Sequence, residues 1–145
     1  VVAGGVVLAV RATAGGVTGV GGAIIAIVAG GAGHALAAAI DAALRCAQTC
    51  ATCADACLHG DDPASMVTCI DLDTQCAAIC RTTAEVLSRP GPNGDSWREI
   101  VKACIATCRE CAAECGSHDH DHCRMCAEAC TACADACEAL LAVAS

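Results

Sequence analysis

Phenylalanine and tyrosine are absent from this 145-residue chain, and Trp97 is its single aromatic residue. A domain of this length usually takes much of its buried area from aromatic side chains. Something else must therefore fill the core, and Trp97 is left for a bundle plug or an inter-chain contact. Runs of Lys or Arg are also missing. Eight basic residues stand against sixteen acidic ones, a formal net charge of −8. With no basic stripe to offset that balance, nucleic acid is excluded as a partner. No phosphate loop, nucleophile–base pair or open three-ligand zinc site stands out, so the chain does not read as an enzyme.

The first 33 residues lack cysteine, carry one charge (Arg11) and hold ten of the fourteen glycines. Residues 34–145 hold all sixteen cysteines, sixteen acidic residues and seven basic ones. The chain divides accordingly into a Gly/Val/Ala-rich apolar segment, 1–33, and a Cys-rich domain, 34–145. From Ala12 to Ile40 there are 29 residues without a formal charge, long enough to span a bilayer. Within that stretch Gly15 and Gly19 form a small-xxx-small pair of the kind membrane helices use. The same Val/Ile/Gly mixture suits strands that stack between chains. Residues 1–33 are thus expected to anchor in a membrane or to build an assembly. Export is a third reading, although a signal peptide would need an initiator Met and a basic n-region. No Met opens the chain, which reads as processed, tagged or incomplete.

The cysteines are periodic. They fall as Cys46, Cys50, Cys53 and Cys57; Cys69, Cys76 and Cys80; Cys104, Cys108, Cys111 and Cys115; and Cys123, Cys126, Cys130, Cys133 and Cys137. All twelve intervals within groups are 3, 4 or 7, the spacing of one helix face. Breaks lie at 59–63, 88–94 and 116–121, where Pro63 suits a first helical turn and Gly60 and Gly116 suit helix ends. The spacing predicts helices over about 34–59, 63–88, 95–116 and 121–143. Their short loops imply antiparallel neighbours. The fold class is therefore all-α, an antiparallel four-helix bundle whose core is lined by sulfur.

Antiparallel packing makes the two ends of the bundle unlike. Extending each seam gathers Leu36, Ala39, Ala43, Leu87, Trp97, Val101 and Leu140 into an apolar plug. At the other end it gathers His59, Met66, Asp73, His118, Asp119, His120 and His122, a polar mouth suited to filling. Asp73 falls in seam register between two Cys and needs a buried partner, either a metal or a mouth His. Met66 also lies in register, whereas Met125 is off the seam and is expected to pack between helices. His59 reads as a helix-end residue.

A core of this many thiols has few chemical uses. Packing alone would be served by Ala, Val or Leu without oxidation risk. Disulfides within one helix pin nothing, and a scaffold needs far fewer Cys. Zinc prefers closed tetrahedral sites, usually with ligands on turns, whereas a file of thiols along helices offers pairs such as Cys46–Cys50 and Cys126–Cys130. Iron–sulfur clusters need thiolates spaced around a bulky inorganic core. Cu(I) is selected by thiolate and thioether and accepts two or three sulfurs. About one Cu(I) per thiolate leaves the core near neutral. Two other readings stand beside a Cu(I) file: a filament or coat subunit locked by disulfides, and a zinc or mixed-metal buffer.

The stretches CAQTCATCADACL (46–58), TCIDLDTQCAAIC (68–80), ACIATCRECAAECGSHDHDHC (103–123) and CRMCAEACTACADAC (123–137) resemble the copper storage protein family, in particular its cytosolic branch. The resemblance covers about residues 35–143. It implies a Cys-rich four-helix bundle that stores several Cu(I) ions per chain, a homotetramer and a cytoplasmic location. It also supports a mouth formed by Asp73 and the His118–His122 cluster. Candidate ligands are the sixteen cysteines with Asp73, His118, His120 and His122. Two features depart from the family. Ala39 and Ala43 stand where the family usually has further Cys, which shortens the file at the plugged end. Residues 1–33 have no counterpart in it and put a simple soluble tetramer in question.

Overall fold

The computed structural model describes residues 31–89 and 94–145. Four α-helices account for most of them: α1 (Gly31–Leu58), α2 (Val67–Leu87), α3 (Ser96–Gly116) and α4 (Asp121–Val143). There is no strand among the described residues. Alanine fills many of the outward positions of these helices and carries the best helix propensity. Outward threonines return their hydroxyls to the carbonyl one turn back, as in Thr49 to Arg45 (2.9 Å), Thr74 to Ile70 (2.7 Å) and Thr131 to Ala127 (2.8 Å).

The expected second helix begins differently from its sequence reading. Residues Pro63–Met66 form a tight 3-10 turn and the α-helix starts at Val67. Pro63 opens that turn, and the Asp62 carboxylate accepts from the Ser65 backbone N–H at 3.4 Å. Gly60 and Gly116 do sit at helix ends, yet neither takes the left-handed conformation that a glycine cap usually supplies. The chain leaves α1 through ordinary tightening bonds, His59 N–H to Asp55 O (3.1 Å) and Gly60 N–H to Cys57 O (3.4 Å). The one positive φ among the described residues belongs to Gly94, at 53°, in the turn ahead of α3, where a side chain would be strained.

Each helix packs along two neighbours: α1 on α2 and α4, and α3 on α2 and α4. The register is antiparallel throughout. Between α1 and α2, Cys57 meets Cys69 at one end while Cys46 meets Cys76 further along. Between α2 and α3, Cys69 meets Cys115 and Cys80 meets Cys104. This is the up-down-up-down bundle that the short loops predict.

The plugged end is as expected. Ala39, Ala43 and Val101 are fully buried there, Leu140 and Leu87 nearly so, and Leu36 and Trp97 pack against them. Arg98 ties the lid down by donating to the Ala144 carbonyl at the end of α4, with its guanidinium over the Trp97 ring at 4.7 Å. Replacing Leu140 by Ala is expected to cost about 2 kcal/mol, the low end for a buried Leu, since a last-turn site can partly collapse. Denaturant unfolding of the reduced, metal-free protein measures this, and copper capacity should not change.

The anchoring and assembly readings concern residues 1–33 and the charge-free stretch 12–40, of which the part up to residue 30 lies outside the described residues. Among the described residues no helix is long and apolar enough to cross a membrane. Residues 31–40, the tail of the charge-free stretch, form the first turns of α1, with Ala39 buried in the bundle.

Candidate metal centre

All sixteen cysteines are free, buried and directed into the bundle, each no more than 2 % exposed. The core is therefore a column of thiols in which sulfurs from all four helices interleave. Along single helices, Cys46–Cys50 and Cys126–Cys130 approach at 3.8 and 3.9 Å, the expected i, i+4 pairs. Across the bundle axis, Cys46 reaches Cys108 at 3.9 Å and Cys76 reaches Cys130 at 3.9 Å.

These cross-contacts correct the expectation of pairs. The thiols form four-sulfur groups, with every sulfur of a group within 4.8 Å of the others. Four groups chain together by sharing pairs: Cys80, Cys104, Cys108 and Cys133; then Cys46, Cys76, Cys80 and Cys108; then Cys46, Cys50, Cys76 and Cys130; then Cys50, Cys111, Cys126 and Cys130. A further group, Cys53, Cys57, Cys69 and Cys123, lies at the mouth. Spacing along one helix could not show this, because each group draws on at least two chain segments. Cys137 is fully buried at the plugged end.

Asp73 is fully buried, and it lies deeper than the mouth position expected for it. Neither a His nor an ion pair satisfies it. One carboxylate oxygen accepts from Cys111 (3.0 Å), Cys126 (3.1 Å) and Cys115 (3.3 Å), and the other accepts from Cys69 (3.7 Å). Thiol S–H groups are weak donors. Burial accordingly pushes the carboxyl up to about 6. Burial likewise raises the thiol of Cys69, with the Asp73 charge adding to it, and that of Cys123, with Cys57 adding. No buried cation among the described residues offsets charge in this column, so without metal its thiols stay largely protonated.

Among the mouth histidines, only His122 meets sulfur. Its Nδ1 is 3.4 Å from Cys123, 3.5 Å from Cys53 and 3.8 Å from Cys57. The signal for this was in the sequence: His122 lies four residues before Cys126 and so shares its stripe. Burial lowers its pKa, and His120 and His118 add to that effect. A neutral imidazole is the form that binds metal. His120 stacks on His122 at 5.2 Å without touching a thiol. His118 turns aside to Glu114 at 3.0 Å.

Three other residues do not take the places expected for them. Asp119 is fully exposed and pairs with Arg124 at 2.8 Å, because it precedes α4 instead of continuing its inner stripe. His59 is exposed and bonds the Asp55 carbonyl at 2.9 Å. Met125 is 62 % exposed instead of packing between helices. Met66, in contrast, is 6 % exposed and lines an open cleft of about 300 Å³ with Cys57, His120, His122, Asp61 and Asp62. The cleft leads from solvent to the first sulfurs.

Comparison with known proteins matches the column. The family model described as copper storage protein covers residues 32–142. A cytosolic copper storage protein of Streptomyces lividans, solved with five coppers, is 46 % identical, with a TM-score of 0.74 over 75 % of this chain and 93 % of that one. A structure of the same protein loaded with 10 copper equivalents gives 46 % identity and a TM-score of 0.74 over 75 % of this chain and 85 % of that one. The Cu(I)-bound copper storage protein BsCsp3 of Bacillus subtilis is 36 % identical, with a TM-score of 0.67 over 73 % of this chain and 97 % of that one. With all its cysteines and all but the two outermost helical residues inside the matched region, the chain belongs to the copper storage protein family.

Proposed function

We infer that this protein stores Cu(I) along the bundle axis, with the thiolates of all sixteen cysteines as ligands and the His122 end as the filling mouth. The observation that carries this is the continuous column of buried, free, mutually contacting thiols. Soft sulfur selects Cu(I). Each ion replaces one thiol proton, so filling proceeds without building up charge in a core that has no cation to balance it. A divalent ion on four thiolates would leave such a core negative. Pairs shared between groups let neighbouring sites use one sulfur twice, which suits an ion content of the order of one per thiolate.

Asp73, at the centre of four thiols, is assigned as an oxygen ligand or counter-charge inside the column. His122 is assigned as the mouth ligand, with His120 holding its ring and His118 at the rim. A homotetramer is supported by the family resemblance and would cover some of the exposed Leu44, Leu58, Val67, Met125 and Val143. A column of free thiols fits a reducing compartment such as the cytoplasm.

Loading kinetics test the mouth assignment. Replacing His118, His120 and His122 together by Ala is expected to slow Cu(I) uptake from a chelated donor and to leave most of the capacity intact. Since only His122 meets sulfur, His122→Ala alone should account for most of the slowing. Stopped-flow uptake at unchanged rate in the triple variant would remove the port from this end.

A further inference from the structure

The mouth also carries a geometry that a monovalent store does not require. Cys53, Cys57, Cys123 and His122 set three sulfurs and one imidazole nitrogen around a single point. The nitrogen–sulfur separations are 3.4, 3.5 and 3.8 Å. Sulfur–sulfur separations are 3.9 Å for Cys53–Cys123 and 4.0 Å for Cys57–Cys123, and Cys53 and Cys57 lie within 4.8 Å. A tetrahedral zinc with Zn–S of about 2.3 Å and Zn–N of about 2.0–2.1 Å has S–S edges of about 3.8 Å and N–S edges of about 3.6 Å. The five separations above fall within about 0.2 Å of those edges.

We propose that Cys53, Cys57, Cys123 and His122 form a tetrahedral site for one divalent d10 ion of the zinc class at the mouth of the column. Charge decides for this site over the all-sulfur groups deeper in. Binding there releases three thiol protons and adds two positive charges, leaving a net −1 beside the open cleft. An inner group would release four protons and leave −2 in a dry core, next to Asp73 in the case of Cys111 and Cys126. Uncompensated charge of that kind is costly to bury. The ring of His120, parallel to within 7° and stacked at 5.2 Å, limits rotation of the His122 imidazole from outside the coordination sphere. The cleft, with Asp61 and Asp62 on its wall, admits a hydrated cation to the site. Zinc and Cu(I) share these sulfurs, so a zinc-filled mouth accepts copper only as zinc leaves.

The test is an anaerobic Co²⁺ titration of the reduced full chain, followed by Zn²⁺ displacement and, separately, a Cu(I) titration of the same preparation. One equivalent of cobalt is expected, with the intense visible bands and thiolate charge transfer of a tetrahedral Cys3His site, bleached by one equivalent of Zn²⁺. His122→Ala should weaken cobalt and zinc affinity at least tenfold, the lower range for losing even a supporting group. Cys130→Ser, in the inner column, should leave the spectrum unchanged. Weak octahedral bands, several equivalents, or a tetrahedral spectrum that survives His122→Ala but is lost in Cys130→Ser would each overturn the site. The copper arm is independent. High copper capacity without tetrahedral cobalt ends the zinc site and leaves storage standing, whereas one tight zinc with little copper does the reverse.

Discussion

Titrated anaerobically with Cu(I) against a strong Cu(I) chelator, the reduced protein is expected to retain on the order of ten or more ions per chain, near one per thiolate. The expectation follows from proton balance. A buried thiol that exchanges H⁺ for Cu⁺ leaves the charge of the column as it was. Filling can therefore run from the mouth to Cys137 without the electrostatic penalty that would stop a divalent ion after a few sites. The column narrows to Ala43, Ala39 and Val101 at the plugged end, so capacity stops at the last sulfur. Cys130 belongs to at least two of the four-sulfur groups. Cys130→Ser should lower capacity by about one ion, its neighbours losing a shared bridge while keeping their other sulfurs. A handful of ions, or none, would end the storage reading. The sixteen thiols would then have to be explained by oxidation to disulfides.

The bundle itself was legible from one number pattern. Intervals of 3, 4 and 7 place all sixteen cysteines on helical stripes, and the three breaks place the turns, because buried residues on a helix recur at its period whatever their chemistry. The plug was legible for the same reason: Ala39, Ala43, Val101 and Leu140 continue the stripes past the last sulfur. What stayed hidden depended on relations between helices. The depth of Asp73 is set by how far α2 slides against α3, where Cys69 meets Cys115 at 3.6 Å, and no local spacing fixes that slide. The four-sulfur groups are hidden likewise, since Cys46 and Cys108 touch at 3.9 Å across sixty-two positions of sequence. The histidine run was read as one cluster. The start of α4 at Asp121 turns His122 inward, leaves His120 outside it and releases Asp119 to Arg124. Residues in an irregular turn follow no period, so the stripe argument could reach only the one that belongs to the helix.

Asp73 should make the empty bundle less stable as pH rises from about 4 to about 6. Its carboxyl has an ordinary value of 3.8 and is pushed up to about 6 in the fold, chiefly by burial. The sign follows from which state binds the proton. Below the unfolded value both states are protonated and the fold pays nothing for this residue. Between the two values the native state keeps a proton that the unfolded chain has lost, so unfolding is increasingly favoured as pH rises. Above the folded value the cost is constant, at about 3 kcal/mol for a shift of roughly two units. Asp73→Asn cannot ionise. Its metal-free stability should be flat across this window, and at neutral pH it should exceed the parent by as much as about 3 kcal/mol, less whatever its amide loses among weakly accepting thiols. Denaturant unfolding of both proteins from pH 4 to pH 8 measures the difference, and parallel profiles would show that the carboxyl is already balanced in the empty column. Copper should reverse the effect. Once Cu(I) ions replace the protons of Cys69, Cys111, Cys115 and Cys126, the charge of the column is unchanged, but the carboxylate oxygen gains metal ions to coordinate in place of weak thiol donors, and that bond favours its ionised form. Loaded Asp73→Asn should therefore lose its advantage over the loaded parent. A residue that weakens the empty bundle and supports the filled one makes stability depend on cargo, which is a physical reason for a carboxylate to occupy the centre of a column otherwise built from sulfur.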